Sequence, residues 1–239
     1  GNTVRLLISD DSGATFTGAT STLSGDIGTG VSAGASRSVT WNAGTDFAGQ
    51  ENSGMQVKIQ GTDVFNNAGS FVTSTIFTVD AKSPVVSSVS ASQASTSDIV
   101  TVNYTLADLT AAGNLVEFNV SSDNGSTWTV ATTTRSGDVG SGITTGSKSF
   151  TWNAGTDFSG NSISNMKVRV RARDYFGNQG SFANSAAFAL DTKAPILSSL
   201  TAAQTSASTT VQFSYNISDT QTTSSVTAQI SSNSGSTWS

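Results

Sequence analysis

The side chains in this chain with the widest chemical potential are carboxylates. There are sixteen acidic residues, of which only Glu51 and Glu117 are glutamate, and there is no histidine and no cysteine. Lack of histidine removes the commonest general base, the usual serine triad and most transition-metal sites. Lack of cysteine removes disulfides, zinc–thiolate sites and thiol catalysis. Aspartates recur at matched positions: Asp26 and Asp138, Asp46 and Asp157, Asp63 and Asp174, Asp80 and Asp191, Asp108 and Asp219. Grouped aspartates can bind calcium, which needs several oxygens converging on one point. No D-x-D-x-D-G run occurs, so the calcium candidates are Asp80 and Asp191, where a junction meets a loop. Lys82 and Lys193 lie two residues further on and oppose a cation there. Elsewhere aspartates are expected to cap turns by accepting from nearby backbone N–H groups. No other cofactor is implied.

Two further sets of residues have binding potential. Lys167, Arg169, Arg171 and Arg173 form the one run of like charge and could hold an anionic polymer. The matching segment earlier in the chain carries Gln56, Lys58 and Gln60, so the stripe is not a property shared along the chain. It is expected to be an outward strand face, partly paired with Glu117. Trp41, Trp128, Trp152 and Trp238 could stack on sugars, but each falls in register with an inward face or a turn motif and is expected in the core. Asn103, Asn119, Asn124 and Asn216 begin N-x-S/T sequences, which matter only in a glycosylating host.

The elements that position these residues are repeated. Thr40-Trp41-Asn42-Ala43-Gly44-Thr45-Asp46-Phe47 returns unchanged 111 residues later as Thr151-Trp152-Asn153-Ala154-Gly155-Thr156-Asp157-Phe158. Ser9-Asp10-Asp11-Ser12-Gly13-Ala14-Thr15-Phe16 is echoed by Ser121-Ser122-Asp123-Asn124-Gly125-Ser126-Thr127-Trp128. A third copy, Ser231-Ser232-Asn233-Ser234-Gly235-Ser236-Thr237-Trp238, lies near the end. Asp80-Ala81-Lys82-Ser83-Pro84 pairs with Asp191-Thr192-Lys193-Ala194-Pro195. The chain is therefore read as a repeat array. A unit of about 110 residues can bury its own core, unlike a short solenoid repeat.

Within the central unit the spacing predicts seven strands, over 85–91, 99–106, 114–121, 127–132, 147–152, 165–173 and 182–190. Val100, Val102, Tyr104 and Leu106 should share one face. So should Val116, Phe118 and Val120, then Phe150 and Trp152, then Met166, Val168, Val170 and Ala172, and finally Ala186, Phe188 and Leu190. Residues 136–146 read as a Gly-rich loop, and no window keeps a helical period. The expected fold is all-β: tandem seven-stranded immunoglobulin-like or fibronectin type III-like sandwiches.

The expected divisions are a partial repeat over 1–80 lacking its first two strands, a complete repeat over 81–191, and the first strands of another over 192–239. A window cut from a longer tandem protein is the main expectation. The alternative is a self-polymerising fibre, in which the last strands of one copy complete the first unit of the next.

Charged residues make up 11% of the chain and the net charge is −5, which argues against nucleic acid as a partner. No apolar run reaches the length of about 18 residues that a membrane span needs.

The pattern S-x-D-x-G-x-T-W at Ser121, Asp123, Gly125, Thr127 and Trp128 resembles the Asp-box hairpin of sialidase-like propellers. The copy with Asp11, Gly13 and Phe16 resembles it too. That resemblance implies a structural turn, with the aromatic packed beneath. A sialidase also needs an acid/base carboxylate, a tyrosine nucleophile and an arginine cluster, and neither glutamate recurs between repeats. With its junction and Trp-Asn-Ala-Gly-Thr-Asp-Phe segments, the whole chain resembles the tandem immunoglobulin-like or fibronectin-like repeats of large bacterial surface proteins: adhesins, surface layers and filaments. The resemblance implies an extracellular, cell-surface and non-catalytic structural role, with neighbouring repeats as partners and self-assembly into a filament or layer. The alternative is a carbohydrate-binding or adhesive module.

Overall fold

A computed structural model describes residues 1–109, 113–220 and 224–239. The first unit contains β1 (Asn2–Ser9), β2 (Ser24–Gly25), β3 (Gly28–Val31), β4 (Val39–Thr40), the single-turn α1 (Ala43–Asp46), β5 (Glu51–Thr62), β6 (Val72–Thr73) and β7 (Phe77–Asp80). The second contains β8 (Val85–Gln93), β9 (Ile99–Ala107), β10 (Asn114–Ser121), β11 (Arg135–Gly137), β12 (Gly140–Ile143), β13 (Gly146–Asn153), the single-turn α2 (Ala154–Asp157), β14 (Ser162–Arg173), β15 (Ala183–Asn184) and β16 (Phe188–Asp191). A hairpin of β17 (Ile196–Gln204) and β18 (Val211–Ser218) follows. The chain is all-β, and every strand pair is antiparallel. No helix among the described residues is long and apolar enough to cross a membrane.

The second unit is a two-sheet sandwich. One sheet has the order β11-β13-β9-β8; the other runs β12-β10-β14-β15, with β16 also on β14. Period-two alternation puts Val100, Val102, Tyr104 and Leu106 of one sheet against Val116, Phe118, Val120, Met166, Val168, Val170 and Ala172 of the other, all buried. Phe118 and Phe150 meet across the gap with ring centroids 4.6 Å apart. The Tyr104 hydroxyl is satisfied inside this core by donating to the Asp138 carbonyl at 2.6 Å.

The first unit keeps the same register. Leu6 faces Ile59 on β1 and β5 as Phe118 faces Val170 on β10 and β14. No pair matching β8–β9 covers it, so its buried apolar cluster is limited to Ile8, Phe47 and Met55. The apolar face of β18 (Val211, Phe213, Tyr215 and Ile217) is likewise exposed.

Several expectations need correction. Residues 127–132 form no strand; only an isolated bridge joins Val130 to Val120. The edge positions are taken by β11 and β12, inside the stretch read as a Gly-rich loop. The segment expected over 182–190 is two strands. At its break the Ser185 hydroxyl accepts from Val168 N–H at 3.0 Å, in place of a ladder carbonyl, so Ser185 turns inward and Ala186 outward. Two helical turns occur where none was expected, closed by the Phe47 N–H donating to the Ala43 carbonyl and the Phe158 N–H to the Ala154 carbonyl, each at 2.8 Å. In β8 the register slips between Ser87 and Ser90, with Ser88 at φ 53°. That bulge lets Val86, Val89 and Ala91 all reach the core.

Candidate functional site

The repeated motifs are closed hydrogen-bond circuits. In the second hairpin, Ser121 Oγ donates to Asp123 Oδ1 at 2.7 Å and accepts from Gly125 N–H at 2.8 Å. Asp123 also accepts from Thr127 N–H at 2.8 Å and Thr127 Oγ1 at 2.7 Å. Ser9, Asp11, Gly13 and Thr15 repeat these bonds at the same distances. Asn233 builds the third copy, its amide nitrogen donating to Thr237 Oγ1 at 2.8 Å. The turn needs two left-handed residues in succession, Asn124 at φ 60° and Gly125 at φ 92°. The Thr127 N–H and hydroxyl, with the Ser121 hydroxyl, hold Asp123 at about 2. The Ser9 hydroxyl and Thr15 do the same for Asp11. These carboxylates are ionised turn acceptors, committed to the hairpin itself.

Trp128 and Phe16 do not enter a core. They lie on the outer sheet face, where Arg169 stacks 4.5 Å from the Trp128 ring and Lys58 Nζ sits 3.9 Å from Phe16. Trp128 was expected in the core and is half-buried there instead, because the chain after the hairpin forms no paired strand. Arg169 and Arg171 also flank Phe182, and Arg171 pairs with Glu117 at 2.9 Å directly across the sheet. Two members of the cationic stripe are thus engaged with aromatic rings and a carboxylate.

Trp152 is fully buried, and its Nε1 donates to Asp157 Oδ2 at 3.0 Å. Thr133 Oγ1 and Thr134 N–H complete the clamp at 2.6 and 2.9 Å, tying α2 to the loop before β11. Burial would raise the Asp157 pKa, but these hydrogen bonds win and hold it at about 2. Trp41, Asp46, Ser21 and Thr22 make the same clamp in the first unit, although Trp41 is only half-buried without strands matching β8 and β9 beside it. Asp46 is likewise held at about 2, chiefly by the Ser21 hydroxyl. Trp238 is 59% exposed.

At the junctions, Asp80 and Asp191 both accept from the backbone N–H two residues on, Lys82 and Lys193, at 3.1 Å. Their surroundings differ. Asp80 lies opposite Glu51 on the β5–β7 pair, and Asp108 reaches the same spot from the end of β9. One carboxylate oxygen from each of Glu51, Asp80 and Asp108 lies within 4.8 Å of the others. Lys82 Nζ bonds Glu51 Oε1 at 3.0 Å. Burial, then the charges of Asp80 and Asp174, push Asp108 up to about 6, only partly offset by weak contacts from Asn114 and Leu109. At the second junction Ser162 stands opposite Asp191, and Thr220 Oγ1 donates to Asp191 Oδ2. The candidate pair Asp80 and Asp191 thus divides: among the described residues, Asp80 belongs to a carboxylate cluster and Asp191 does not. Glu51, Asp108 and Asn114 were not foreseen as its companions. The recurrence of Asp108 as Asp219 was the available signal.

The outer turns form another repeated feature. Asp174 accepts from Asn178 N–H at 2.8 Å and from its Nδ2 at 2.7 Å, leaving Tyr175 and Phe176 at the tip, 78% and 58% exposed. Asp63 and Asn67 close the same turn beneath Phe65. No protein-family model matches this chain, and no curated protein matches it.

Proposed function

We propose that this chain is a non-catalytic structural repeat of a large extracellular protein at a bacterial cell surface, part of a rod, stalk, layer or filament whose partners are its neighbouring repeats. The observation that carries this reading is the short, anchored link between the first two units. Pro84 is buried at the start of the second unit, where the Gly180 backbone lies so near that an added Cβ would meet the Pro84 carbonyl oxygen, so the link is seated on that unit. Asn178 reaches back to the Asp80 carbonyl. Proline's fixed φ limits hinge freedom further. The sheet orders β11-β13-β9-β8 and β12-β10-β14-β15 support the likeness to fibronectin type III-like repeats. The repeated Asp-box and Trp–Asp motifs have their polar groups turned on themselves, which suits a scaffold role. Small-angle X-ray scattering tests this reading. A stiff, elongated particle supports it; independently tumbling units, or hydrolysis of a glycoside, would overturn it.

A second reading, an adhesive or carbohydrate-binding module, is favoured by one feature. Tyr175 and Phe176 form an exposed edge-to-face pair with ring centroids 5.5 Å apart.

A further inference from the structure

Four of the five matched aspartate positions in the second unit have a clear structural use. Asp138, Asp157 and Asp174 accept from backbone N–H groups at Ser149, Thr134 and Asn178, and Asp191 from that of Lys193. Asp108 is different: both carboxylate oxygens are shielded from solvent, and the Asn114 amide and Leu109 N–H approach them without making a well-formed hydrogen bond. Beside it, Asn114 is 0% exposed, and neither its amide oxygen nor its amide nitrogen is satisfied. A buried anion and a buried amide left unsatisfied are each costly. Here they adjoin two more carboxylates, which makes the arrangement worse unless a positive charge joins it.

We infer that Glu51, Asp80 and Asp108, with the Asn114 amide oxygen, form a calcium site across the boundary of the first and second units. Three carboxylate oxygens within 4.8 Å of one another suit ligands on one ion, since calcium takes oxygens at about 2.3–2.6 Å. Register sets the first two: Glu51 and Asp80 are directly paired on β5 and β7. The third comes from the next unit, so a bound ion ties the two units together. An all-oxygen donor set from strand ends suits calcium better than a transition metal. Lys82 is a competitor. Its Nζ neutralises Glu51 at 3.0 Å in the ion's absence and is displaced, or bonds the other Glu51 oxygen, when calcium enters.

The second junction is a natural contrast. Ser162 replaces Glu51, and the counterpart of Asp108, Asp219, is supplied with donors from Thr220 N–H at 2.8 Å and the Ser224 hydroxyl at 3.3 Å. The site belongs to the first junction, and one calcium per chain is expected. This inference stands apart from the scaffold reading, because a stiff array needs no ion.

The test is calorimetric titration of the chelator-treated 239-residue chain with calcium chloride, alongside thermal melting. One saturating site is expected, with an affinity in the range of about 10⁻⁴–10⁻³ M typical of extracellular modules, and a higher melting temperature with calcium. Asp108→Asn should bind at least about tenfold more weakly while melting no lower than the parent chain without metal. Lys82→Gln should bind several-fold more tightly. Absence of saturable heat up to about 10 mM calcium, or binding unchanged in Asp108→Asn, would overturn the proposal.

Discussion

Asn178 in the second unit donates its side-chain amide to the main-chain carbonyl of Asp80, the last strand residue of the first, at 3.3 Å. The same amide also bonds Asp174 Oδ2 at 2.7 Å, so one side chain closes its own turn and reaches across the boundary. The tip of the β14–β15 connection is thereby tied to the end of β7. Gly180, two residues on, rests against Pro84. Local turn chemistry and the packing of successive units therefore share the same few residues.

Gly180→Ala would place a Cβ 2.2 Å from the Pro84 carbonyl oxygen, and backbone, unlike a flexible side chain, cannot swing away. The expected cost is about 1–3 kcal/mol, with looser seating of the Pro84 link on the second unit. Thermal melting and small-angle scattering on the same sample check both parts. Asn178→Ala should loosen the boundary too, since its second bond is the one that crosses it.

The buried tryptophan clamp should matter more in one unit than in the other. Trp152→Phe removes the donor to Asp157 and opens a void at a fully buried position. About 2–4 kcal/mol is expected. Trp41→Phe removes the same hydrogen bond, at 2.9 Å, from a half-exposed site and should cost about 1 kcal/mol. Equal losses in denaturant melts would contradict the idea that β8 and β9 supply the extra burial around Trp152.

How far this contrast could be read from the chain depends on the range of the interactions involved. The inward rows of β9, β10 and β14 were legible because alternation at period two is a property of neighbouring residues. So were the hairpins, whose donors and acceptors lie within four residues of each other. Trp128 was misplaced because its register was extended past a turn into a strand that does not form. The break at Ser185 was hidden because a serine hydroxyl there substitutes for a backbone carbonyl, which no hydrophobic pattern reports. Asp80 stood out as a junction residue, but its meeting with Glu51 and Asp108 depends on β5–β7 pairing and on how one unit sits on the next. Neither leaves a local trace.

Acid should unfold the chain in a defined window. Asp11, Asp46, Asp123 and Asp157 are all held at about 2, below the ordinary aspartate value of 3.8. A depressed carboxylate stabilises the fold while it is ionised. That contribution is complete above about pH 4 to 5 and is lost as the pH falls from about 4 through 2. Tryptophan fluorescence against pH should show a cooperative loss in this range. Replacing Asp157 with Asn removes one of the four groups and should flatten the acid limb; an unchanged profile would contradict its assignment.

Tyr175 and Phe176 separate the scaffold reading from the adhesive one. Both side chains are exposed, and each contacts the other edge-on at 83°. Changing both to serine should alter stability by no more than about 0.5 kcal/mol, because neither fills a core position. An edge-to-face pair offers a sugar only one flat face, so any saccharide contact would depend on a single ring. If the chain is a scaffold, a glycan array should give the same weak background before and after the substitution. Retention of a defined glycan by the parent chain and its loss in Tyr175→Ser/Phe176→Ser would make the turn tip a binding surface and displace the purely structural reading.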